Sequence, residues 1–193
     1  MSERCIASTT NQPWRVHRYS CPVTRPREYQ IVRYTRSIPT AAAALPVASA
    51  ATLRPPLKWA GGKRWQVPHL RPMWGTFGAA RLVEPFCGGL AVALGLEAKQ
   101  ALLNDANPHL IDFYNWLQRG LTIDIPMENR SDLFYEHRVA FNRALATGER
   151  GSATAASLFY YLNRTGYNGL CRFNSRGEFN VPFGTYKTIG YTR

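Results

Sequence analysis

Residues 81–105 read RLVEPFCGGLAVALGLEAKQALLND, and this run decides the fold. RLVEPF (81–86) carries the branched and aromatic content of a short buried strand, and it stops at a glycine-rich turn, CGG (87–89). A helix is expected over 90–99, with Leu90, Leu94 and the Ala/Val residues between them turned inward. ALLND (101–105) then reads as a second strand that ends on an acid, Asp105. Strand, glycine turn, helix, strand with a terminal acid is half of a nucleotide-binding α/β unit. Gly88 and Gly89 would let a ligand approach the backbone at a helix N-terminus, and Asp105 stands near the spacing at which an acid meets ribose hydroxyls. The turn is GGL rather than GxGxxG, which disfavours a dinucleotide. On these residues alone, glycines that serve only close packing are an open alternative.

The helices that follow carry clear punctuation. Asn107 suits an N-cap, Pro108 the first turn and Gly120 the C′ position, and Leu110, Ile111, Tyr114 and Leu117 form the apolar stripe between them. Ser131 is the expected cap of a helix over 132–146, with Leu133, Phe134, Phe141 and Leu145 inward. A further helix is expected over 153–163, with Ala155, Phe159 and Leu162 on one face. After it the helical period stops. NRTGYNGLCRFNSRGEFNVPFG (163–184) contains Gly166, Gly169 and Gly177 around short Phe-containing runs, the pattern of a hairpin.

Charge is distributed unevenly. The 193 residues carry a formal net charge of +12, concentrated at both ends around a balanced middle. The basic, glycine- and aromatic-containing carboxyl-terminal part points to a polyanion, most simply nucleic acid; a solvated basic face is the alternative. Four cysteines, at positions 5, 21, 87 and 171, form no CxxC pair and have no His at ligand spacing, so a reduced, cytoplasmic protein without a structural metal is expected. No apolar run approaches the length of a membrane span. Residues 1–56 differ from the rest: every basic group there is Arg, proline recurs, and no useful period is present. Disorder is expected there; an organelle transit peptide and untranslated upstream sequence are the other readings.

Three segments, LKWAGGK (57–63), VEPFCGG (83–89) and the 163–184 run, resemble in order and spacing the Dam-like, D12 class adenine-specific DNA methyltransferases. The likeness covers about two-thirds of the chain. It implies an α/β fold: a Rossmann-like methyltransferase core over 57–125 and a helical and β-hairpin target-recognition region over 126–193, the core incomplete for want of strands. It implies S-adenosylmethionine as cofactor, with Trp59 as an apolar wall, Lys63 meeting the donor's carboxylate, Phe86 and Gly88 in the FxGxG motif and Asp105 on the ribose. Leu90 departs from that motif, standing where the family has Gly. Double-stranded DNA is the implied partner, at a GATC-type site, contacted by Lys58, Arg164, Tyr167, Asn168, Leu170, Arg172 and Arg176. Arg172 would read guanine, Tyr167 and Leu170 would wedge or stack, and Arg164, Arg176 and Lys187 would meet phosphates.

The family's catalytic Asp-Pro-Pro-Tyr motif follows the hairpin. Here the only Pro-Pro is 55–56, between Arg54 and Leu57, and Asn107-Pro108-His109 lacks the second proline. The expectation is therefore the amino-terminal part of a DNA adenine N6-methyltransferase, inactive alone, with a carboxyl-terminal half as partner. A non-enzymatic DNA-binding remnant is the alternative.

Overall fold

The computed structural model describes residues 53–77 and 80–189, together with the backbone of residues 14–19 and 29–35. A four-stranded sheet runs in the order β1-β2-β4-β3, with β1 at Trp14–Tyr19, β2 at Tyr29–Thr35, β3 at Leu82–Glu84 and β4 at Gln100–Asn104. β3 and β4 are parallel, joined through helix α2 (Ala91–Leu96), as the glycine-turn pattern requires. β2 lies antiparallel on the other edge of β4, pairing Ile31 with Asn104 and Thr35 with Gln100, and β1 pairs with β2.

This corrects the expectation of disorder over 1–56 at two runs. WRVHRY and YQIVRYT are short, but they are rich in branched and aromatic residues, and β4 offers an edge for the second to pair with. Residues 53–56 are irregular, and the remainder of that expectation lies outside the described residues. β3 is also shorter than the expected 81–86 strand and is not buried on both faces, since Val83 is 52% exposed. α2 covers only six residues of the expected 90–99 helix, because Glu97 closes it in a left-handed conformation.

Helix α1 (Val67–Gly75) precedes β3. Helix α3 (Pro108–Gln118) begins and ends as its punctuation predicts: the Asn107 side chain accepts from the amides of His109 and Leu110, and Gly120 has a φ of 82°. Helix α4 (Ser131–Ala146) starts one residue earlier than expected. Arg130 occupies its N-cap without a side-chain cap bond, and Ser131 is the first helical residue rather than the cap. Helix α5 (Ala153–Thr165) is buried continuously from Ala155 to Asn163, so the single apolar face read from the sequence was too narrow. It is the central helix, with α3 and α4 packed around it, and a helix surrounded on all sides is apolar on all sides. Phe113 stacks on Tyr160 at 5.7 Å, and Phe141, Phe159 and Phe179 meet with centroids about 6 Å apart. One core cluster runs from Leu57 to Val181.

After α5 the expected hairpin is present, but its arms meet only at isolated bridges, Gly166 with Phe183 and Phe173 with Phe179. Among the described residues, no helix is long and apolar enough to cross a membrane, and no cluster of His, Cys, Asp and Glu has the makings of a metal site.

Candidate functional site

The glycine turn after β3 is held from several directions. The Gly88 amide donates to Asp105 Oδ2 at 2.9 Å, and the Tyr114 hydroxyl donates to the Gly88 carbonyl at 2.6 Å. The Cys87 amide donates to the Asn104 carbonyl at 2.7 Å. Asp105 thus ties the end of β4 to the turn after β3, while its Oδ1 accepts from the Asn107 amide at 3.0 Å. The glycines serve the close packing that the sequence reading held open, and their partner is Trp59. A Cβ on Gly88 would lie 2.8 Å from Trp59 Nε1, and one on Gly89 would lie 2.8 Å from Trp59 Cβ. The space they leave is filled first by the Trp59 ring, so the KWAGGK loop and the CGG turn interlock.

That interlock leaves a cleft of about 320 Å³, lined by Trp59, Gly61, Lys63, Glu84, Phe86, Gly88 and Asp105 among others. All five residues marked as donor-binding lie in it together, although they come from three separate stretches of sequence. Phe86 is 79% exposed, offering an open aromatic face at the rim. The Lys63 ammonium is exposed and donates to the Gly61 carbonyl at 2.6 Å.

Glu84 is the residue that sequence reasoning missed. Its Oε1 is buried and has no hydrogen-bond partner among the described residues, while the side chain lines the cleft. Burial pushes its carboxyl up to about 7, against the opposing effect of a hydrogen bond from the Ala93 backbone. The available signal was its position: an acid closing β3 shortly before a glycine turn, much as Asp105 directly follows β4. Leu90 holds the last turn position with φ 63°, a left-handed backbone, while its side chain is only 5% exposed.

The second set of residues surrounds the hairpin. Tyr167, Asn168, Arg172 and Arg176 are exposed on it, as is Lys187 beyond it. Lys58, Arg164 and Leu170 are not on its open surface; they are half-buried, Lys58 and Arg164 where the end of α5 meets residues 56–58 and Leu170 against the core cluster. The Lys58 ammonium donates to the Arg164 carbonyl at 2.8 Å and sits 3.5 Å from the centre of the Tyr186 ring. Its backbone exchanges two hydrogen bonds with the Asn163 side chain, and a Cβ on Gly169 would strike it. Burial and the nearby Arg164 charge lower its pKa. At the hairpin tip, Asn174 accepts from the Arg176 and Glu178 amides, and Arg176 pairs with Glu178 at 2.9 Å. In this conformation Arg176 is therefore partly neutralised. Among the described residues Arg172 has no acidic partner; it is held by Asn180 through hydrogen bonds of 2.8 and 3.2 Å.

Taken together, the fold and the cleft define an α/β protein with an open cleft at the ends of two parallel strands. A sequence model described as D12 class N6 adenine-specific DNA methyltransferase matches residues 59–191, and the chain belongs to that family. It is similar to the DNA adenine methylase of Escherichia coli (strain K12), 41% identical over 139 residues. The DNA adenine methylases of Vibrio cholerae and Haemophilus influenzae are 40% and 39% identical over 139 and 146 residues. The matches cover 68% of this chain with the first two and 70% with the third. The chain spans about half the length of these curated relatives, 48% in each case.

Proposed function

We propose that the cleft binds S-adenosylmethionine and that the hairpin presents duplex DNA, as the donor and recognition parts of an adenine N6-methyltransferase. The observation that carries this reading is the convergence of Trp59, Lys63, Phe86, Gly88 and Asp105 on one cleft that is also lined by Glu84, whose buried Oε1 has no hydrogen-bond partner among the described residues. A buried, unpaired carboxylate oxygen suits a ligand ammonium, and the exposed Lys63 ammonium suits the carboxylate of the same amino-acid group. Each Asp105 oxygen accepts one backbone amide and retains acceptor capacity for a ribose hydroxyl. Trp59 and Phe86 offer aromatic faces to an adenine ring. Bound there, S-adenosylmethionine supplies an electrophilic methyl group on sulfur.

In this reading residues 57–125 form the donor part of a Rossmann-like core and residues 126–193 the recognition part. On the hairpin, Arg172 reads guanine, Tyr167 and Leu170 disturb the stack beside it, and Asn168 bonds a base edge or phosphate. Arg164, Arg176 and Lys187 meet phosphates, Arg176 by exchanging Glu178 for the DNA. Lys58 reaches DNA only after leaving the α5 carbonyl that it now caps.

The transfer step also needs a group that orients the flipped adenine amine, and these residues contain no Asp-Pro-Pro-Tyr run. β3 pairs only with β4 among the described residues, so its outer edge is the place for a strand carrying that motif, at the switch point where open α/β sheets bind ligands. Calorimetry with S-adenosylmethionine tests the donor site. Binding is expected for the parent chain and at least about tenfold weaker for Asp105→Ala, roughly the worth of one charge-assisted hydrogen bond. Equal affinity would remove the assignment.

A further inference from the structure

We infer that Asn180 is a positioning residue for DNA recognition: it holds the Arg172 guanidinium by one edge and leaves the other edge open for guanine. The inference rests on Arg172 being the guanine reader proposed above.

Arg172 and Asn180 face each other across the hairpin, immediately outside the Phe173–Phe179 bridge. The Asn180 amide donates to the Arg172 carbonyl at 3.1 Å. The Arg172 side chain then folds back along the pair: Nε donates to Asn180 Oδ1 at 2.8 Å, and Nη2 donates to the Asn180 carbonyl at 3.2 Å. A guanidinium has five N–H donors in a rigid fork. Two are consumed along the Nε side, and the three that remain lie on Nη1 and Nη2, at the far end of the plane. Guanine presents N7 and O6 as two adjacent acceptors in the major groove, a match for that end.

Asn180 is itself fixed. It is half-buried between Phe179, 2% exposed, and Val181, fully buried, and the Asn142 side chain exchanges hydrogen bonds with both the amide and the carbonyl of Phe179. The orientation of Arg172 is thereby anchored to α4 rather than left to a flexible side chain. The contrast with Arg176 bears on function. Arg176 is held by a carboxylate, which would oppose DNA, whereas Arg172 is held by a neutral amide and a carbonyl, which orient it without cancelling its charge. An arginine that must pair in two places at once loses less freedom on binding when one edge is already fixed.

The test measures affinity of the 193-residue chain for a duplex containing GATC and for the same duplex with 7-deazaguanine, which lacks the N7 acceptor. The parent is expected to prefer the natural duplex by about tenfold, the scale of one bidentate base contact. Asn180→Ala is expected to bring that preference within about twofold while leaving affinity for the 7-deazaguanine duplex nearly unchanged. Asn180→Asp, which keeps an acceptor for Nε, is expected to retain the preference at lower overall affinity. Binding of S-adenosylmethionine by each variant serves as the folding control. If Arg172→Ala loses the preference and Asn180→Ala keeps it, the positioning role is overturned and the DNA reading stands. If Arg172→Ala keeps the preference, the guanine assignment falls and the inference falls with it.

Discussion

Leu90 shows two residue-scale demands in opposition. Its left-handed backbone, φ 63°, costs a non-glycine residue about 1–2 kcal/mol. Its side chain is 5% exposed, and truncating such a leucine to Ala costs about 2–5 kcal/mol. Burial wins, which explains how Leu is tolerated where the family has Gly. The two terms separate in a pair of variants. Both Leu90→Ala and Leu90→Gly should destabilise, but Gly by about 1 kcal/mol less than Ala, the reverse of their usual helix ranking. Denaturant unfolding reads this directly; Ala equal to or better than Gly would mean that the backbone there is not strained. Glu84 gives a second residue-scale prediction. Its carboxyl titrates at about 7, and only the ionised form attracts an ammonium. Affinity for S-adenosylmethionine should therefore rise as pH increases from 6 to 8. In Glu84→Gln the affinity should be lower and the rise absent. A parallel rise in the variant would assign it to another group.

At the scale of elements, the segment between β4 and α3 links the cleft to the hairpin. Asp105 faces the glycine turn; two residues on, the Asn107 side chain caps α3 and donates to Cys171 Sγ at 3.2 Å; and His109 stacks on Phe173 at 4.4 Å. His109 is half-buried, its Nδ1 enclosed and without a hydrogen-bond partner among the described residues, and burial together with the Arg150 charge brings it down to about 4. Arg150 itself is held by Asp112 at 2.8 Å. The folded state thus favours neutral His109, while the unfolded chain protonates near 6.5. Stability should be unaffected by this group above 6.5 and decline as pH falls toward 4, by about 3 kcal/mol in all. His109→Phe, which keeps a ring on Phe173, should flatten that decline in pH-dependent thermal melts, and an unchanged slope would count against the assignment. Much of this level was legible in sequence. Asn107, Pro108 and Gly120 bound α3 because capping is local chemistry. The all-round burial of α5 was not legible, because it depends on which helices surround it. Nor was Glu84, whose role appears only when β3 and the KWAGGK loop meet.

For the whole molecule, the sheet is the main departure from expectation. β2 occupies the β4 edge, where a third parallel strand would stand in a doubly wound sheet. The reading of 1–56 failed there because strands this short declare themselves only through a partner, and the partner lies some seventy residues downstream. Deleting residues 1–52 should expose the β4 edge, and exposed edges recruit other strands. Light scattering is expected to show greater self-association of the shortened chain than of the full one. A shortened chain that remains equally monodisperse would show that β2 protects nothing.

The Lys58–Trp59 dipeptide has a consequence for redesign. Its two neighbouring side chains point to different tasks, Trp59 into the glycine turn of the cleft and Lys58 into the base of the hairpin against Gly169 and Tyr186. A hairpin transplanted from a relative would arrive without the loop on which it is seated, and would disturb the cleft as it settled. Under the function proposed above, target choice is therefore not a detachable module. A graft that is to change it must carry 57–62 and 163–186 together, as two strips of chain that were shaped against each other.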